Sequence, residues 1–185
     1  AERLLVEPLI GRCPNIMAPD WFDGLKRAAE GRRLMVLDTL RRFHIKEENA
    51  SGPMAQVIGR MEAIAADTGC SIVFLHHSNK GSAMMGTGDQ QQASRGSSVL
   101  VDNIRWQSYL SGMTQAEADE WGVDRGQRGY FVRFGVSKAN YGAPFQECWF
   151  RRHEGGILKP AVLERQKRPL PVNLKSVGRG GDGDW

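Results

Sequence analysis

Two short apolar runs in this chain end in residues that could do chemistry. Leu34-Met35-Val36-Leu37 is closed by Asp38-Thr39, and Ile72-Val73-Phe74-Leu75 by His76-His77-Ser78-Asn79. An acid directly after a buried strand can hold Mg²⁺ through water while phosphate oxygens take other positions. A histidine at the end of the neighbouring strand can sense or stabilise a γ-phosphate. Aspartate at a strand end also caps turns, so the pair makes a site only if both strands reach one sheet edge. Ligands bind at such edges in α/β proteins.

Other chemistries fit less well. The four histidines, His44, His76, His77 and His153, form no recognised metal-ligand spacing. Adjacent strand residues point to opposite faces, so His76 and His77 cannot easily share one ion. No Gly-x-Ser-x-Gly elbow supports a serine hydrolase. Basic residues gather near the same edge: Arg41, Arg42 and Lys46 after Asp38, then Lys80 and Arg95 around a Gly/Gln-rich stretch. Arg105 stands in the apolar sequence Val-Asp-Asn-Ile-Arg-Trp, where an unpaired charge is costly. It therefore calls for an anionic partner, either Asp102 or a phosphate at a subunit boundary.

The elements that must position these groups follow from periodicity. Residues 3–10, RLLVEPLI, read as a short strand. Ala18-Pro19-Asp20 opens a helix ending near Gly31, and Ser51-Gly52-Pro53 opens a second. Met54, Val57, Ile58, Met61, Ile64 and Ala65 recur at helical spacing, and Gly69 ends the run. The runs on either side lack alternation, as strands buried on both faces do. Strand, helix, strand within about 40 residues is a βαβ unit with a parallel sheet. Residues 81–98 have no core face and read as a long functional or disordered loop. Residues 99–109 read as another buried strand. Thr114-Gln-Ala-Glu opens a short helix through a capping box. Residues 130–137, 147–152 and 156–162 read as strands giving the sheet an antiparallel finish.

The 185 residues suit one ordinary domain. Residues 164–185 read as a flexible basic tail, with Arg165, Lys167, Arg168, Lys175 and Arg179 among prolines and glycines. No run approaches the ~20 apolar residues of a bilayer span, and no signal core is present, so a cytoplasmic protein with no membrane partner is expected. Cys13, Cys70 and Cys148 make no Cys-x-x-Cys pair and read as mostly buried reduced thiols. Twenty-five Lys+Arg against 21 Asp+Glu give +4, which permits a nucleic-acid partner without requiring one.

Four segments carry a resemblance: RRLMVLDTLRRFH, GCSIVFLHHSNKG, QQASRGSSVLVDNIRW and FGVSKANYG. In this order they closely resemble the RepA-type hexameric plasmid replicative DNA helicases, which belong with the RecA- and DnaB-like ATPases. The resemblance runs from Leu9 to about Arg165. It implies an α/β fold, a RecA-like P-loop NTPase core over residues 1–163, with a parallel central sheet and antiparallel strands toward the C-terminus. It also implies ATP and Mg²⁺ as cofactors, translocation on single-stranded DNA, and a homo-oligomeric ring, a hexamer. Plasmid initiator and primase proteins would be its partners.

Residue by residue, Asp38 matches the Walker B acid that positions Mg²⁺, with Thr39 beside it. His77 matches the γ-phosphate reader, and Arg105 a trans-acting arginine finger. Lys138 resembles the first residue of a Lys-x-Arg finger, but Asn140 replaces its arginine, which favours Arg105. Arg42, Lys80 and Arg95 are the candidate DNA-phosphate contacts.

The Walker A pattern Gly-x-x-x-x-Gly-Lys-[Ser/Thr] does not occur in the sequence. This chain is therefore expected to be an incomplete core with an exposed sheet edge and a tendency to self-associate. By itself it is expected to turn over little or no ATP. The competing readings are a non-catalytic module for single-stranded DNA or assembly, and a RecA-like ATPase that does not unwind DNA.

Overall fold

The computed structural model describes residues 4–48, 50–77, 99–143 and 146–166. The expected βαβ unit is present. Strand β1 (Leu34–Leu37) pairs in parallel with β2 (Ser71–Phe74), in register from Leu34 opposite Ser71 to Leu37 opposite Phe74. Helix α2 (Ser51–Thr68) forms the crossover. Its buried residues Met54, Val57, Ile58, Met61 and Ile64 follow a 3-4 spacing, so one stripe faces the sheet. Full burial of each such side chain contributes about 1.5–3 kcal/mol. Ala50 occupies the N-cap position, and Ser51 is the first helical residue. Gly69, at φ +70°, ends the helix in the left-handed region, its amide bonded to the Ala65 carbonyl.

Helix α1 (Pro19–Ala29) packs against α2. The Arg60 guanidinium lies 4.4 Å from the centre of the Phe22 ring, and Lys26 meets Asp67 at 2.6 Å. The second pair is solvated and contributes little to stability. Helix α3 (Val99–Asn103) adds Leu100 to the same core.

A second, antiparallel sheet has the order β3 (Trp106–Gly112), β4 (Phe131–Ala139), β5 (Cys148–Arg152), β6 (Leu158–Ala161). Helix α4 (Gln115–Trp121) begins with the expected capping box. Thr114 Oγ1 accepts from the Glu117 amide, and the Glu117 carboxylate accepts from the Thr114 amide. Met113, Ala118, Phe131 and Trp149 form its core, with Trp121 edge-on to Trp149 at 6.4 Å. Arg133 lies between Glu117 at 3.4 Å and Glu147 at 3.2 Å, and Tyr109 donates to Glu147. Gly135 permits this packing, because a Cβ there would clash with the hydroxyl and ring edge of Tyr109.

Several expectations are corrected. Residues 4–10 form no strand, and Leu4, Leu5, Val6 and Ile10 are exposed, since no described strand lies alongside to pair with them. The parallel strands are not buried on both faces. Leu34 and Val36 are 54% and 53% exposed while Leu37 is buried, because the helices cover one face only. The first half of the 99–109 stretch is helical, and the strand starts at Trp106. The antiparallel strands form a sheet of their own rather than finishing the parallel one. Cys13 is exposed, Cys70 buried and Cys148 half-buried; all three are free.

At the boundary expected after residue 163 the chain is anchored. The Gln166 amide bonds to the Glu120 carbonyl, and Arg165 pairs with Glu120 at 3.1 Å. Residues 167–185, and with them the rest of the expected tail, lie outside the described residues. So does the loop expected at 81–98.

Candidate functional site

The two parallel strands end at one edge, and their hydrogen bonds continue past the last paired residues. The Leu75 amide donates to the Leu37 carbonyl at 3.0 Å, and the Leu40 amide donates back to the Leu75 carbonyl at 2.8 Å. Asp38 and Thr39 therefore leave β1 beside the point where Leu75, His76 and His77 leave β2. The Asp38–Thr39 peptide is cis, and a short 3₁₀ turn, Leu40–Phe43, follows. Leu40 and Phe43 are buried and pin that turn to the α2 core.

A cleft of about 90 Å³ opens at this edge, lined by Thr39, Arg41, Glu48, Leu75, His76 and His77. Asp38 and His77 are both exposed, and Asp38 stands beside the cleft rather than in its wall. The sheet edge thus brings Asp38, Thr39 and His77 together. Arg42 is exposed on the same 3₁₀ turn. Lys80 and Arg95 lie outside the described residues.

Arg105 and Lys138 sit elsewhere, where α3 meets β3 and β4. Arg105 is exposed, which corrects the expectation of a charge buried in apolar surroundings. The helix ends two residues before it, so its side chain leaves from a turn and needs no internal counter-ion. It makes no ion pair with Asp102 or with any other described residue. The Lys138 ammonium is engaged by the backbone carbonyls of Val101 and Asp102.

The wall of the cleft holds a cluster that sequence reasoning missed, with His44 buried beneath it. Glu48 meets Arg41 at 3.8 Å, His44 at 3.9 Å and His76 at 4.0 Å. His44 is 3% exposed. The available signal was a histidine directly after a core phenylalanine with a glutamate four residues on. His76, which completes the cluster, is remote in sequence.

Burial lowers the pKa of His44 below the usual 6.5; the Glu48 carboxylate and the Lys46 backbone oppose the shift, and Arg41 adds to it. The folded protein therefore favours the neutral ring. This stabilisation is complete above the unfolded-state pKa and is lost as pH falls through the folded-state value, because the unfolded chain takes the proton first. Unfolding free energy followed in urea is expected to fall below about pH 6.5, by at most about 1.4 kcal/mol per pH unit from this group. In His44→Gln that part of the slope is expected to vanish. A variant with the wild-type pH profile would remove His44 as its source.

Residues 4–83 match the AAA domain family. The matched span is less than half of the chain, and it contains β1, α2, β2 and both strand ends. The antiparallel sheet, Arg105 and Lys138 lie outside it. The match supports an ATPase of the RecA/AAA type, and with it a nucleotide and Mg²⁺.

The residues at the edge fit the metal side of such a site. One carboxylate at a strand end, with water and phosphate oxygens, is the usual Mg²⁺ arrangement and needs no protein cage. No group of three or more His, Cys, Asp or Glu residues suited to a metal occurs among the described residues. The phosphate-cradling Walker A backbone is not part of this sequence. No described helix is long and apolar enough to cross a membrane.

Proposed function

We propose that this chain supplies the Mg²⁺-positioning and γ-phosphate-reading half of a subunit of a RepA-type hexameric replicative helicase. That motor would be driven by ATP and would translocate on single-stranded DNA in the cytoplasm. The observation that carries the reading is the convergence of Asp38, Thr39 and His77 at one edge of a parallel strand pair. The AAA domain match over the same strands supports it.

Bound Mg²⁺ and ATP would supply the phosphoryl group and neutralise its charge. The chain's own part is positional. Asp38 orients metal-bound water, Thr39 offers a hydroxyl beside it, and His77 donates toward the terminal phosphate. Arg105, exposed on its turn, reaches the nucleotide of a neighbouring subunit in a homo-oligomeric ring, a hexamer. Arg42, Lys80 and Arg95 hold DNA phosphates, and plasmid initiator and primase proteins are the ring's partners in replication.

The test is strand displacement from a forked duplex by the full-length protein, this chain joined to a Walker A segment, run beside ATP turnover with and without single-stranded DNA. ATP-dependent displacement with DNA-stimulated turnover supports the motor. Turnover without displacement means a RecA-like ATPase that does not unwind DNA. Salt-sensitive DNA binding indifferent to nucleotide means a non-catalytic module.

A further inference from the structure

Lys138 is half-buried near the C-terminal end of β4, and its ammonium makes two hydrogen bonds to backbone. It donates to the Val101 carbonyl at 2.7 Å and the Asp102 carbonyl at 3.1 Å, both near the end of α3. Two residues further on, the Asn140 amide donates to the carbonyl of Arg105 itself at 3.0 Å. Trp106, the first residue of β3, then pairs with Ala139. Residues 138–140, at and just past the end of β4, thus grip the chain on both sides of the 103–105 turn.

The chemistry of the grip is ordinary. The last carbonyls of a helix have no donor within it and carry partial negative charge, so an ammonium satisfies them. Arg105 contrasts with this. Its backbone is fixed, while its guanidinium is exposed and has no ionic partner among the described residues. Fixing the backbone leaves only the side-chain torsions free, which suits a charge presented to a separate body at a set distance.

We infer that Lys138 is a positioning residue for Arg105, acting through the last turn of α3, and is not itself a nucleotide contact. The inference rests on the proposed reading of Arg105 as the group that reaches a neighbouring subunit's nucleotide. The Lys-x-Arg resemblance suggested the opposite role for Lys138, and the two carbonyl bonds are what argue against it.

The test measures ATP turnover by the full-length protein. Lys138→Met is expected to lower kcat about 10–100-fold, the scale of an ångström-sized misplacement, with KM for ATP within about 2-fold of wild type. Lys138→Arg, which can reach the same carbonyls, recovers most of kcat. The Lys138→Met/Arg105→Ala double variant is as slow as Arg105→Ala alone, because one residue acts through the other. Amide exchange over residues 101–106 is faster in Lys138→Met at an unchanged melting temperature.

A raised KM with kcat kept, or losses that multiply in the double variant, overturns the inference in favour of direct nucleotide contact. Wild-type kcat in Lys138→Met overturns it as well. If Lys138→Met does not fold, Lys138→Gln, which can donate to one carbonyl, takes its place. If the wild-type protein turns over no ATP, the motor reading has failed instead. The exchange measurement then still decides whether Lys138 holds the turn, and unchanged exchange overturns that too.

Discussion

Asp38→Asn is expected to lower ATP turnover by the full-length protein about 10–100-fold, the usual cost of losing a group that orients a metal through its water shell. The side chains are nearly isosteric, so shape is kept and the charge is removed. Asp38 is exposed at the exit of β1 and has no ion pair among the described residues, so little stability depends on that charge. Melting temperature should therefore stay near wild type, as for other surface substitutions within about 0.5 kcal/mol. The decisive reading is turnover against Mg²⁺ concentration. The half-activating concentration rises in the variant if Asp38 holds metal-bound water. An unchanged Mg²⁺ curve with unchanged turnover would leave the convergence of Asp38 and His77 without a catalytic meaning. Made with residues 1–185 alone, the measurement should give little or no turnover with either side chain, because no Walker A backbone is present to cradle the phosphates.

The sequence was most readable where local pattern and tertiary role agree. The α2 stripe reads from 3-4 spacing, and its closure reads from Gly69, because both properties belong to the helix itself. Thr114 and Glu117 are three residues apart, so their capping box is also local. Three of the antiparallel strands were legible from short apolar runs between turn residues. The misreadings fall where an apolar run lacks a period or a partner. Val99-Leu100-Val101 looks like a buried strand, yet Leu100 is buried against α2 as part of a short helix. Residues 4–10 are equally apolar, but hydrophobicity does not make a strand without a neighbour to bond to.

The same division holds for the candidate site. Asp38 and His77 could be named from sequence because each ends a recognisable strand, and parallel pairing then places them at one edge. The Glu48 cluster could not, since it depends on which side of the 3₁₀ turn faces the end of β2. The hydrogen bonds of Lys138 could not be read from the sequence for a related reason. Its partners are backbone carbonyls more than thirty residues away, and no side-chain pattern advertises a carbonyl.

Leu40→Ala should be the most damaging single truncation at this edge, with an expected loss of about 2–5 kcal/mol of unfolding free energy. Leu40 is completely buried, and its side chain belongs to the core built on α2. Three carbons are removed from a closed site, so the lost transfer energy is joined by a cavity term. Against a total stability of about 5–15 kcal/mol for a domain, this is a large share. Arg42→Ala provides the control. It lies two residues on in the same turn and is exposed, so its truncation should cost no more than about 0.5 kcal/mol. Urea unfolding of the two variants therefore separates loss of the anchor from disturbance of the turn as such. The anchor also has a local signature. The Leu40 amide is bonded to the Leu75 carbonyl, and this bond ties the path leaving Asp38 to the path leading to His77. Amide exchange at Leu40 and Leu75 should accelerate in Leu40→Ala by more than exchange in the middle of α2 does. Equal acceleration at all three places would mean that the turn has no stability of its own, and that the edge is held only by the fold as a whole.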